Sequence, residues 1–179
     1  MIKIKIKKGR HYPFLIPIPI PLPFCVRKAR NCHRSAQFMF TRSCLYNLYD
    51  NDQWDVNKLL GFSIGHHQRG SSFRFGWRPI LNEEVIEIVA YEYHEGFRLR
   101  TMPICKVSLD EWHQFTIVYD NVHGKSYYFV DDKTFVNELN LGKKSGLGYT
   151  LGIYFGGNEK APQDIIIYKR KSSPKTLNL

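Results

Sequence analysis

Residues 72–78 read Ser72-Phe73-Arg74-Phe75-Gly76-Trp77-Arg78. Extended backbone sends successive side chains to opposite sides, so Phe73, Phe75 and Trp77 share one face. Ser72, Arg74, Gly76 and Arg78 share the other. Aromatic on one side and cationic on the other, at period two, specifies a strand with one face in a core. The same alternation recurs along the chain. In residues 97–101, Phe97 and Leu99 oppose Arg98 and Arg100. In residues 113–119, Phe115 and Ile117 oppose Gln114 and Thr116.

Further candidate strands lie at residues 37–41, 59–65, 86–93, 97–102, 113–119, 126–130, 134–139, 149–156 and 164–169. Turn signals separate them: His94-Glu95-Gly96, Asn121-Val122-His123-Gly124, Asp131-Asp132 and the stretch from Gly142 to Gly148. Only residues 46–60 have room for a short helix. About ten short strands without βαβ spacing predict an all-β, two-sheet antiparallel β-sandwich. The length of 179 residues suits one domain with a sizeable core. Aromatics make up 15% of the chain, which favours strands. No apolar run reaches the roughly 18 residues a membrane helix needs.

The formal net charge of +10 is unevenly placed. The first 49 residues carry ten Lys or Arg and no acid, whereas the rest carry 16 of each sign. The excess therefore belongs to an extended basic, proline-rich N-terminal arm. Residues 2–6 alternate Ile2, Ile4 and Ile6 with Lys3 and Lys5, a strand pattern suited to adding onto another sheet. Residues 13–23 then alternate prolines with Ile16, Ile18, Ile20 and Leu22. That backbone is extended and lacks donors. Apolar residues between the prolines imply that the arm lies against a surface. Three segments are expected: an arm over 1–35, a sandwich over 36–171 and a polar tail over 172–179. The anchoring residues are Ile2, Ile4, Ile6, Ile16, Ile18, Ile20 and Leu22. Their expected partner is a protein or host assembly reached through residues 1–24, as in a virion accessory or decoration protein. The chain would then be an oligomer or assembly component. A basic arm also suits nucleic acid in principle, but its aromatics are not interleaved with its cations, and the body is neutral.

Three stretches together resemble the concanavalin A-like lectin/glucanase jelly roll. They are residues 58–65 (Lys-Leu-Leu-Gly-Phe-Ser-Ile-Gly), residues 72–78, and residues 149–158 with 161–167, where a Gly-rich turn leads into an apolar strand. The resemblance covers residues 37–171. It implies a jelly roll whose concave face often meets polysaccharide, and it leaves function open, because that fold hosts lectins, hydrolases, lyases and structural modules.

The residues themselves narrow the chemistry. Glycoside hydrolysis needs two carboxylates across one cleft. Glu87 and Glu92 are an odd number of residues apart, so a regular strand puts them on opposite faces. Glycan binding needs planar donors and aromatic faces, and Arg74, Arg78, Tyr91, Arg98, Arg100, Tyr154 and His67 supply them. The preferred reading is a non-enzymatic, lectin-like module tethered by its arm. The alternative is a polysaccharide lyase on an acidic polysaccharide, using the same arginines with a Tyr or His base. No cofactor and no metal is expected. Cys25, Cys32, Cys44 and Cys105 lack a Cys-x-x-Cys pair and read as reduced thiols, which suits synthesis in the cytoplasm. The apolar stretch at 14–24 is broken by four prolines and does not read as a signal peptide.

Overall fold

The computed structural model describes residues 1–13, 23–25, 31–49, 51–99 and 101–172. Ile16, Ile18, Ile20, Leu22 and Arg100 lie outside the described residues, as does all but the start of the expected C-terminal tail.

The chain is all-β, two antiparallel sheets sharing one core. The strands are β1 (Ile2–Ile6), β2 (Pro23–Cys25), β3 (Asn31–Phe40), β4 (Asn57–Ile64), β5 (Ser71–Ile80), β6 (Val85–His94), β7 (Phe97–Arg98), β8 (Met102–Val107), β9 (His113–Asp120), β10 (Lys125–Val130), β11 (Lys133–Asn137), β12 (Leu147–Leu151) and β13 (Ile165–Arg170). The first sheet runs β1-β13-β3-β9-β10-β11. The second runs β2-β12-β4-β5-β6-β7, with β8 also paired to β6. This two-sheet antiparallel arrangement is compatible with a jelly roll.

The alternation at residues 72–78 holds. Phe73, Phe75 and Trp77 have no exposed surface, while Arg74 and Arg78 stand on the outer face. Across the core they meet Phe40, Phe115, Tyr119 and Tyr128, with ring centroids 4.5–5.4 Å apart. Each ring face or edge that leaves water this way contributes both area and pair geometry.

Four expectations change. First, Ile2–Ile6 does not wait for another sheet. It pairs with β13 of its own chain, Ile2 opposite Lys169 and Ile6 opposite Ile165. Ile6 is 1% exposed in the core and Ile4 is half-buried, so of the three N-terminal anchors only Ile2 is open, at 61%. The body also starts earlier than residue 36, because β3 opens at Asn31. Second, residues 97–102 split into β7 and β8, both on β6, with a bulge at Ile88/Val89. Phe97 is 77% exposed and does not reach the core. Third, the strand begun near Tyr149 ends at Leu151, and Tyr154 returns only through an isolated bridge to Lys58. Fourth, among the described residues, 46–60 hold no α-helix. One 3-10 turn, Asn51–Trp54, lies there, and another, Arg42–Cys44, just precedes it. Side chains there compete for the backbone: Asn47 Oδ1 accepts from Tyr49 N–H, and Gln53 bridges Leu48 N–H and the Tyr46 carbonyl.

Candidate functional site

The outer face of the second sheet gathers most of the expected site residues. Arg74 lies at its centre, on β5 opposite Gly61 of β4 and Tyr91 of β6. Gly61 is why it can lie low. A Cβ at that position would run into the Phe73 carbonyl and the Arg74 backbone and side chain. Tyr12, Tyr91, Tyr93 and Tyr154 surround the guanidinium and are its electrostatic partners. Burial nevertheless depresses its pKa. Its Nε is buried without a hydrogen-bond partner, as is Ser63 Oγ on the neighbouring strand.

Lys58 is the residue that sequence reasoning missed. It is only 8% exposed. Its Nζ donates to the Gly156 carbonyl at 2.8 Å and lies 4.8 Å from the Tyr91 ring centre and 5.4 Å from that of Tyr154. Burial lowers its pKa from 10.5 to about 8, and the nearby Arg74 and Arg98 act in the same direction. Asp55 opposes them from beyond ion-pair distance. Its signal in the sequence is faint. A lysine immediately before a run of buried apolar side chains ordinarily reads as a strand-end cation.

Tyr154 is fixed by the N-terminal segment. Its ring stacks on His11 at 5.0 Å and 8°, and meets the edge of Tyr12 at 4.9 Å. Backbone bonds hold that segment in place: Gly9 N–H to the Ala161 carbonyl, Ala161 N–H to the Arg10 carbonyl, and Phe155 N–H to the His11 carbonyl. His11 Nδ1 donates to the Phe155 carbonyl at 3.0 Å. Tyr91 is hydrogen-bonded to Tyr93 and Arg98. Burial raises its pKa, the Tyr93 contact adds to this, and Arg98 opposes it. His67 stacks on His66 at 4.7 Å. Its pKa is lowered by burial and then by Arg74 and His66, which keeps the imidazole neutral.

Of the expected set, Arg74, Tyr91, Arg98, Tyr154 and His67 therefore share one electrostatic neighbourhood. Arg78 is on the same face but already engaged. Its Nε and Nη2 both reach Glu87 Oε2 at 2.6 Å, and Nη1 donates to the Trp54 carbonyl at 3.3 Å.

The carboxylates are placed as their odd spacing requires. Glu87 faces outward to Arg78, whereas Glu92 is buried between the sheets. Glu92 accepts from Ser126 Oγ, Tyr128 OH (2.8 Å) and Asn137 Nδ2. Burial raises its pKa, and those three hydrogen bonds only partly offset the rise.

Among the described residues, no carboxylate forms an ion pair with Lys58 or Arg74. A buried cation without a counter-ion is costly, and two side by side are more so. The arrangement suits an anion that brings its own negative charge between aromatic walls. No group of three metal-ligating side chains is present among the described residues. No family model matches the chain, and no curated protein matches it.

Proposed function

We propose that the chain is a lectin-like β-sandwich module that binds an acidic polysaccharide on the outer face of its second sheet. The observation that carries this reading is the Lys58–Arg74 pair, Lys58 buried and Arg74 half-buried with its Nε covered, neither paired with a described carboxylate, and with Tyr12, Tyr91, Tyr93 and Tyr154 about the guanidinium. The ligand carboxylate would lie against the Arg74 guanidinium and Lys58 Nζ. Charge-assisted hydrogen bonds of that kind are about twice as strong as neutral ones. The tyrosine rings would take the sugar's C–H faces and their hydroxyls its oxygens. The resemblance to concanavalin A-like sandwiches, which often meet polysaccharide, points the same way.

The test is calorimetry with a panel of uronate oligosaccharides, neutral glucans serving as controls. Selective binding of a uronate, weakened roughly tenfold or more in Arg74→Ala and Lys58→Met, is expected. Equal binding of neutral and acidic oligomers would remove the anion reading.

A second reading, a lyase, is favoured by the place of His67 in the electrostatic neighbourhood of Arg74, where burial and that arginine lower the imidazole pKa. There the cations would hold the uronate carboxylate. His67 would take the proton α to it, and the glycosidic oxygen at the β carbon would leave with the bonding electrons and take up a proton. The product carries a new C=C bond. Ultraviolet absorbance growing with time in wild type and lost in His67→Ala would select this reading; a flat trace on every uronate would leave binding alone.

Attachment to a larger assembly rests on residues 14–22 and on Ile2, because Ile6 is committed to the chain's own core. Replacing residues 14–22 by a Gly-Ser linker of equal length keeps β1 in its sheet. Undiminished incorporation of that variant into its native assembly would end the tether reading.

A further inference from the structure

The face that carries Arg74 continues along β5 to Arg78, four residues on, about 13 Å away at strand rise. The chemistry changes over that distance. At Arg74 the cations have no carboxylate partner among the described residues. At Arg78 the guanidinium is neutralised by Glu87, so this end offers no anion site. What it offers is Trp54, 63% exposed at the end of the 3-10 turn Asn51–Trp54. Its ring is 5.5 Å from the Arg78 guanidinium, and its carbonyl accepts from the same side chain. A cation over one ring face and a fixed carbonyl hold the indole in place. Between the two ends, the buried Val56 and Val89 side chains pack into the space left by the absent side chain of Gly76. Trp77 is wholly buried and Trp112 is covered by Arg170, whose guanidinium lies 4.2 Å from its ring. Of the three tryptophans, Trp54 alone is presented openly.

We infer that Trp54, backed by the Arg78–Glu87 pair, is a second sugar subsite that stacks an uncharged pyranose face of the same acidic glycan whose carboxylate is taken at Arg74 and Lys58. The inference rests on the proposed glycan reading and adds a minimum ligand length to it. A single sugar ring is shorter than the span, so only an oligosaccharide reaches both ends. Rigid, exposed indole buries sugar C–H surface at little entropic cost.

The experiment compares galacturonate, mannuronate and hyaluronan oligomers, each as the disaccharide and the hexasaccharide. Binding to wild type, Trp54→Ala and Trp54→Phe is measured by calorimetry. Intrinsic fluorescence of wild type, compared with that of Trp54→Phe, isolates the Trp54 indole from Trp77 and Trp112. For whichever polymer binds, the hexasaccharide is expected to bind several-fold to about tenfold more tightly than the disaccharide, as one aromatic pair contact warrants. Trp54→Ala erases that gain and leaves the disaccharide affinity unchanged, and Trp54→Phe retains part of it. The hexasaccharide alone perturbs the fluorescence. A length gain that survives Trp54→Ala overturns the subsite while the anion site stands. Absence of binding by wild type to every oligomer overturns both.

Discussion

Lys58 shows how one buried amine sets two opposite pH dependences. In the folded chain it loses its proton near pH 8, whereas the unfolded chain holds it to about 10.5. Between those values the unfolded state binds more protons, so this residue makes stability rise with pH. Anion binding runs the other way, since the positive charge disappears over the same window. Affinity for an acidic oligosaccharide is therefore expected to fall as pH climbs through about 8, and Lys58→Met to abolish the step. Titration calorimetry from neutral to alkaline pH checks this; a step of the same size in Lys58→Met would refute the assignment. Glu92 has the reverse sign. Its carboxyl pKa is raised by burial, so its contribution to stability is complete below the ordinary carboxylate pKa and is lost as pH rises through the raised value. Glu92→Gln keeps an acceptor for Ser126 and Tyr128 and should flatten that part of a thermal-melting curve against pH. An unchanged slope would show that other carboxyls dominate there. Both residues were visible in the sequence as a lysine and a glutamate. Their burial was not, because it depends on strands far apart in the chain.

At the scale of elements, β1 is the clearest case of a pattern read correctly and assigned the wrong partner. The Ile/Lys alternation does make a strand. Its partner, β13, begins more than 150 residues later, and no local signal names it. Ile6→Ala should cost roughly 2–5 kcal/mol, as for other fully buried aliphatic truncations, read from denaturant midpoints. A cost near zero would mean that β1 detaches freely and is available to a partner after all. On β4, Gly61 holds the position across from Arg74. Gly61→Ala forces backbone or the Arg74 stem aside and is expected to destabilise by about 1–3 kcal/mol while also weakening acidic-glycan binding. Loss of stability with intact binding would separate the sheet's packing from the site. The split of residues 97–102 into β7 and β8 has a similar cause. Alternation alone gave Phe97 a core face, but at the sheet margin it stays exposed, and the pairing on β6 restarts only at Met102 opposite Ala90, with a bulge of its own farther along.

Across the whole molecule, the charge asymmetry takes on a different meaning. The N-terminal basic strand lies on the first sheet, where Lys5 pairs with Asp164 at 2.6 Å on an exposed surface, a contact worth little. The next residues cross to the other sheet and bring His11 and Tyr12 to the site. The segment expected to reach outward thus helps build the ligand face of its own chain. The attraction for a long polyanion should exceed that for a short oligomer and fall as salt is raised, since exposed charges beyond a Debye length are screened. Ionic strength should weaken polymer binding more steeply than disaccharide binding, where the buried Lys58–Arg74 pair is shielded from screening; equal salt slopes would count against the buried site.

Period-two patterning over Ser72–Arg78 and its counterparts settled by itself that the chain is all-β, that Phe73, Phe75 and Trp77 point inward and that Arg74 and Arg78 point out. That is a local matter, because side-chain direction in a strand is fixed by parity. The sequence also separated Glu87 from Glu92 by the same parity. Only the tertiary structure decided which outward residues meet. It joined Lys58 to Arg74 across adjacent strands, tied Arg78 to Glu87, and turned Ile2–Ile6 back onto Ile165–Arg170. Pairing between distant strands is chosen by burial and hydrogen-bond closure over the entire chain, and those quantities exist only once every strand has its place.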